Sequence, residues 1–267
     1  MLMENKQLKN EVKSYWDKQA CGTDEIDAQK FTKEYFDAIE EKRYSREPEI
    51  LEFADFPSGK GKKMLEVGLG AGTDFINWVR NGADAHGIDL TPESIAHVKH
   101  RLSLEGLEAK FEVGDSENLP YDDNTFEFVY SWGVIHHTPD TRKAFREIYR
   151  VLQPGGKAKI MVYNRKSMLA YFFWVKHALF KGKFSMSVDE ALFENMESAG
   201  TKGYTIEEAK AIVKDLPMKD LKVKTYFTFY DRLERFNPML RLASKVISLF
   251  VNKKKRGWFL TVEYTKV

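Results

Sequence analysis

The run Glu66-Val67-Gly68-Leu69-Gly70-Ala71-Gly72 sets three glycines at alternate positions just after an acidic residue. Glycine has no Cβ and tolerates positive φ, so such a turn lets backbone close in on a ligand. Asp89 lies nineteen residues beyond Gly70, close to the spacing at which a carboxylate reaches both hydroxyls of a ribose. Charge-assisted bonds to such a diol are stronger than neutral ones. Capping the helix that starts near Pro92 is the alternative role for Asp89. A dinucleotide site would need a further glycine at position 73, where this chain has Thr73. Glu66 would also repel a pyrophosphate laid across the loop, whereas a cationic sulfonium ligand meets no such barrier.

The second reactive feature is the pair His136-His137. Imidazole is the side chain best suited to accept a proton near neutral pH. Adjacent side chains point apart, so one of the two, His137, is the candidate catalytic base. The competing reading is that it hydrogen-bonds backbone and shapes its loop. No His-Glu-x-x-His, Cys-x-x-Cys or dense acidic cluster occurs, so no metal is expected. Gly59-Lys60-Gly61-Lys62-Lys63 lacks the spacing and the hydroxyl of a phosphate-binding loop and reads as a solvated turn.

These residues need a frame, and β-α alternation supplies one. Short apolar strands are predicted at 64–67, 85–89, 109–113, 126–130 and 157–163, with helical periodicity between them. A helix over 142–152 is stopped by Gln153-Pro154-Gly155-Gly156. After residue 164 the rhythm lapses for about forty residues; a helix at 205–216, a strand at 221–229, a helix at 238–251 and a strand at 258–265 follow. The pattern predicts a doubly wound α/β fold, a mostly parallel sheet covered on both faces. Its loops at the carboxyl ends of the strands, His136-His137 among them, are where ligands of such folds bind.

Composition narrows the function. A 43% apolar and 31% charged chain is an ordinary globular protein, and its net charge of +2 argues against a general polyanion partner. The single cysteine, Cys21, allows no intrachain disulfide, and the first thirty residues lack a signal-peptide core. A cytoplasmic setting is the expectation.

Glu66 to Gly72, Asp89, Gly114-Asp115-Ser116 and Val129-Tyr130-Ser131-Trp132-Gly133-Val134-Ile135-His136-His137 resemble the successive motifs of class I S-adenosylmethionine-dependent methyltransferases. The likeness is to the methyltransferase type 11 group, typified by ubiquinone and menaquinone biosynthesis enzymes. It is strong over 63–164 and continues weakly to the last strand. It implies a Rossmann-like sheet of seven strands, the last antiparallel, and S-adenosylmethionine as cofactor. By that resemblance Glu66, Gly68, Leu69 and Gly70 surround the amino-acid part of the cofactor, and Asp89 with Leu90 holds the ribose. Gly114, Asp115 and Ser116 would take the adenine, Ser131 and Trp132 the floor under the methionine moiety. Tyr15 would fold over the cofactor from the N-terminal segment. The Asn/Asp-Pro-Pro-aromatic run of amino-methylating nucleic-acid enzymes is replaced by Ser131-Trp132-Gly133-Val134, so DNA is not expected as acceptor. A nicotinamide or flavin oxidoreductase and a cofactor-binding protein without catalysis are the alternatives.

The expected organisation is a helical cap at 1–60, a cofactor core at 61–164, an aromatic lid at 165–204, and the second half of the sheet at 205–267. Tyr15, Trp16, Phe31, Tyr35, Phe36 and Tyr44 in the cap, with Tyr171, Phe172, Phe173, Trp174, Phe180 and Phe184 in the lid, suit a small apolar or aromatic acceptor. Packing of these rings against the sheet is the competing account. The amphipathic segment 238–251 precedes Lys253-Lys254-Lys255-Arg256. A helix packed on the sheet is the simpler expectation, and peripheral docking on anionic lipid the other.

Overall fold

A computed structural model describes residues 2–234, 236 and 238–267, with side chains from residue 5 onward. Three helices come first, α1 (Leu2–Lys18), α2 (Lys33–Arg46) and α3 (Glu49–Ala54). The alternating part follows as β1 (Lys63–Val67), α4 (Thr73–Arg80), β2 (Asp84–Asp89), α5 (Pro92–Glu105), β3 (Lys110–Val113), β4 (Phe126–Trp132), α6 (Thr141–Val151) and β5 (Leu152–Asn164). Two helices, α7 (Met168–His177) and α8 (Val188–Asn195), then precede β6 (Gly203–Tyr204), α9 (Ile206–Val213), β7 (Met218–Tyr226), α10 (Pro238–Phe250), α11 (Lys253–Arg256) and β8 (Phe259–Lys266).

The strands form one sheet in the order β3-β2-β1-β4-β5-β8-β7, with the two-residue β6 beside β5. The first five strands run parallel, and β8 is antiparallel to both β5 and β7. The seven-stranded doubly wound sheet with an antiparallel last strand is therefore present, with β6 as an addition. Side chains alternate across it. Met64, Phe128, Tyr130 and Met161 pack with Trp78, Phe75, Phe53 and Ile50 on one face. Leu65, Val129, Ile160 and Val162 pack with Phe145, Ile148 and Val213 on the other.

Three differences from the sequence reading have a clear physical cause. The predicted stop at 153–156 lies within β5, whose register jumps from Phe126↔Leu152 to Phe128↔Lys157. The proline and glycines thus make a bulge, and a Cβ at Gly156 would sit 2.9 Å from the Gln153 carbonyl oxygen. The edge strand β7 begins and ends three residues earlier than predicted. Its pattern is weak because it is largely exposed, and Asp231 ends it by accepting from Thr228 N and Oγ1 at 3.0 and 3.1 Å.

The third difference concerns α10. The expected packing of its apolar face on the sheet does not occur. Ser244 is its buried residue, while Met239, Leu242, Val246, Ile247, Leu249 and Phe250 are exposed. No described helix is long and apolar enough to cross a membrane.

Candidate active site

The glycine loop joins β1 to α4, and its backbone does what the sequence requires. Gly68, Gly70 and Gly72 have φ of 85°, 51° and 75°, which non-glycine residues adopt only at a cost. A Cβ on Gly68 would fall 2.1 Å from Val134 Cγ2, so the loop closes tightly on the segment after β4. Asp89, at the end of β2, anchors it. Its Oδ2 accepts from Leu69 N at 2.8 Å and Gly70 N at 3.3 Å, and its Oδ1 from Thr91 N and Oγ1 at 2.9 and 2.8 Å. Thr91, not Asp89, caps α5, accepting from Ser94 N.

A cavity of about 840 Å³ opens at the carboxyl edge of the sheet. Glu66, Gly68, Leu69, Gly70, Asp89, Leu90, Gly114, Asp115, Ser116, Trp132, His137 and Tyr15 all border it. Ser131, expected at its floor, does not. Its hydroxyl is fully buried and donates to the Val67 carbonyl at 2.9 Å, so it ties β4 to β1. His136 also faces away, buried with neither ring nitrogen hydrogen-bonded among the described residues.

The electrostatics of the cofactor end centre on Glu66. Its Oε2 is buried with no hydrogen-bond partner among the described residues. Burial and the nearby Asp74 hold its carboxyl well above the usual range, against the opposing pull of Arg43. Asp74 is itself buried, gripped by Arg43 through Nε at 2.9 Å and Nη2 at 2.6 Å and by the hydroxyls of Tyr44 and Tyr130 at 3.1 and 3.0 Å. This bidentate pair fastens α2 to α4. A buried carboxyl oxygen left without a partner beside a glycine cradle suits a ligand that brings positive charge, and the residues present fit a sulfonium nucleoside bearing an α-ammonium.

The opposite wall is aromatic and polar. Trp16 packs edge-on against His137 with centroids 5.6 Å apart, and Tyr163 stacks on Trp258 at 4.1 Å. Glu47 accepts from Trp132 Nε1 at 3.1 Å and the Tyr230 hydroxyl at 2.8 Å. The Tyr163 hydroxyl donates to Glu197 at 3.1 Å. His137 is buried, and burial together with Lys202 pushes its imidazole down to about 3. The Thr201 hydroxyl donates to the Ser198 carbonyl at 2.8 Å, so its oxygen is left to accept from His137 Nδ1 at 3.0 Å. The Ser198 hydroxyl lies 2.9 Å from the same nitrogen; with the proton on Nδ1, Nε2 is a lone pair, and with Ser198 donating to Nδ1 the proton sits on Nε2 facing Glu197. Nε2 has no hydrogen-bond partner among the described residues and lies 3.8 Å from a Glu197 carboxylate oxygen. Both groups border the cavity.

Sequence reasoning missed Lys9, Arg43, Glu47, Asp74, Tyr163 and Glu197. All six border the cavity. Asp74, four residues past Gly70, carried the one available signal, an acidic residue in the first turn of a helix that turns out to be buried. The others come from distant segments with no spacing to reveal them.

Sheet order, glycine loop and acidic strand end are those of the class I methyltransferase fold. Residues 65–160 match the family model described as a methyltransferase domain. Over 126 residues the chain is 38% identical to norajmaline N-methyltransferase of Rauvolfia serpentina, covering 45% of this chain and 43% of that enzyme. The matched stretch is thus less than half the length of that curated relative. Geranyl diphosphate C-methyltransferase from Streptomyces coelicolor A3(2), solved with geranyl diphosphate and S-adenosyl-L-homocysteine, has a TM-score of 0.63 at 14% identity, over 97% of this chain and 98% of that one. Phosphoethanolamine N-methyltransferase 2 from Haemonchus contortus, solved with S-adenosylhomocysteine, has a TM-score of 0.60 at 19% identity, over 96% and 60%. At such identities these two structures share the fold with this chain.

Proposed function

We propose that this chain transfers the methyl group of S-adenosylmethionine to a small molecule that presents an O–H or N–H donor. The observation that carries the proposal is His137 Nε2, buried without a hydrogen-bond partner among the described residues and 3.8 Å from Glu197, in the same cavity as the glycine loop and Asp89. A hydroxyl or amine placed beside Nε2 would hydrogen-bond it, and a buried polar nitrogen left without a partner is costly.

The bound cofactor supplies an electrophilic methyl carbon on a positively charged sulfur. The chain's own residues then have to align and enclose. Glu66 meets the positive charge of the amino-acid end. Asp89 would hold the ribose diol, its Oδ1 being freed by a Thr91 hydroxyl that keeps only its 2.9 Å contact with Ser94 Oγ. Trp16, Tyr163 and Trp258 exclude water around an apolar acceptor. An imidazole pushed down to about 3 is a poor proton acceptor at neutral pH. We assign His137 the positioning of the acceptor, and Glu197, whose side chain is 38% exposed and can pass a proton on to water, the receipt of its proton.

Calorimetric titration with S-adenosylhomocysteine and with NAD tests the cofactor assignment, which predicts binding of the first alone and its loss in Asp89→Ala. Methyl-labelled cofactor incubated with cell extract and the enzyme, followed by identification of the labelled product, tests the acceptor class. A labelled product methylated on carbon would overturn the O–H or N–H reading.

A further inference from the structure

Helix α10 is turned inside out. At 100° per residue, Leu240, Ser244 and Ser248 form the stripe that faces the protein. Ser244 is 1% exposed, and its hydroxyl donates to the Arg232 carbonyl at 2.6 Å. The opposite arc carries Met239, Leu242, Val246, Ile247, Leu249 and Phe250, with Met239 82% and Phe250 86% exposed. A soluble surface seldom leaves so many apolar side chains together. Arg241 and Lys245 border the arc on one side, and Lys253, Lys254 and Lys255 follow, all exposed. From Pro238 to Arg256 there are six basic residues and no acidic one.

We propose that α10 and the start of α11 dock on the surface of an anionic phospholipid bilayer. Charge selects this occupant. An apolar arc flanked on its polar side by cations alone, with stems long enough to reach headgroups, is the pattern of a helix lying in the membrane interface. The helix has 13 residues, about 20 Å at 1.5 Å per residue, too short to span roughly 30 Å of hydrocarbon. It therefore lies in the plane of the surface. The inward face fits this arrangement too, since Ser244 ties α10 to the Arg232 carbonyl while the apolar side is kept for lipid. Phe236, just before α10, borders the cavity and meets the Phe172 ring at 4.7 Å. The docked face thus adjoins the acceptor end of the site, so an amphiphilic acceptor would enter from the bilayer. That consequence rests on the proposed methyl transfer; the docking itself does not.

The test is co-sedimentation of the full chain with phosphatidylcholine vesicles, with and without phosphatidylglycerol, at low and high salt. The wild type should sediment with the anionic vesicles, weakly with the neutral ones, and less as salt screens the lysines. Lys253→Gln/Lys254→Gln/Lys255→Gln should weaken the partition roughly a hundredfold. Leu242→Asp/Ile247→Asp should abolish it, while both variants keep their far-ultraviolet dichroism and S-adenosylhomocysteine affinity. A wild type that stays in the supernatant with anionic vesicles at low salt overturns the proposal. So does an apolar variant that still sediments, or sedimentation equilibrium showing a dimer that Leu242→Asp/Ile247→Asp splits, because the arc then belongs to a second copy. Vesicle binding without S-adenosylhomocysteine binding would instead sink the proposed function and leave the docking intact.

Discussion

Lys9 of α1 reaches Asp115 with a 2.6 Å ion pair and Glu117 with one of 2.8 Å. The first helix is thereby fastened over the corner of the cavity where the adenine amino group is expected. Asp115 Oδ1 is taken by Glu117 N at 2.9 Å, so an incoming amino group meets Oδ2 and has to displace the lysine. Lys9 and Asp115 are both partly exposed, and such pairs contribute no more than about 1 kcal/mol. Lys9→Met should therefore tighten S-adenosylhomocysteine binding by about two- to fivefold in calorimetry. An affinity that falls instead would mean that the lysine belongs to the adenine site.

Glu66 makes the stability of the ligand-free protein depend on pH. Its carboxyl is raised by burial and by Asp74, so the folded chain holds this proton more tightly than the unfolded one. The stability it contributes is complete below the ordinary carboxylate range and is lost as pH rises toward the folded value, at up to about 1.4 kcal/mol per pH unit. Glu66→Gln removes that dependence. Its melting temperature should exceed the wild type's by a margin that widens with pH, and a margin independent of pH would refute the assignment. The same substitution should weaken cofactor binding, since the counter-charge is gone.

Arg43 and Asp74 form the joint between the N-terminal helices and the core. Removing one member of a buried pair strands the other, at a cost of about 3 to 5 kcal/mol. Arg43→Ala should lose that much in denaturant unfolding, and Tyr44→Phe, which deletes one hydroxyl from the same carboxylate, about 1 kcal/mol. A loss in Arg43→Ala no larger than that of Tyr44→Phe would show that Asp74 is satisfied without it.

The contrast between Asp89 and Asp74 explains how far the sequence could be read. Asp89 was visible because its role is local: it ends a strand at a fixed distance from a glycine loop, and both features repeat wherever this chain geometry is used. The buried strands were visible for the same reason, each a short apolar run between turn formers. Asp74, Arg43, Glu47 and Glu197 act through contacts between segments 31 to 183 residues apart, and charged residues on helices look solvated until the fold places them. Ser131 failed in the opposite way. Its position in the motif was right, but strand alternation turned its hydroxyl into the sheet. The apolar stripe of α10 was legible, whereas the direction it faces was not, because periodicity fixes an arc and not the surface it meets.

His137 gives the sharpest division between positioning and proton transfer. Burial and Lys202 push its imidazole down to about 3, so it stays neutral throughout the physiological range. The unfolded chain takes up this proton near the ordinary histidine value, hence the histidine costs stability progressively as pH falls from about 6.5 toward 3. His137→Gln should thus be less sensitive to acid than the wild type. In turnover, a neutral imidazole that only orients the acceptor predicts no step near pH 6.5 in either protein. His137→Gln should raise KM more than it lowers kcat, because the glutamine amide oxygen can still accept a hydrogen bond but from a shifted position. Glu197→Gln should instead lower kcat by about 100-fold or more, the usual worth of a proton-accepting group. A wild-type step near pH 6.5 that vanishes in His137→Gln would reverse the two assignments and make the histidine the base.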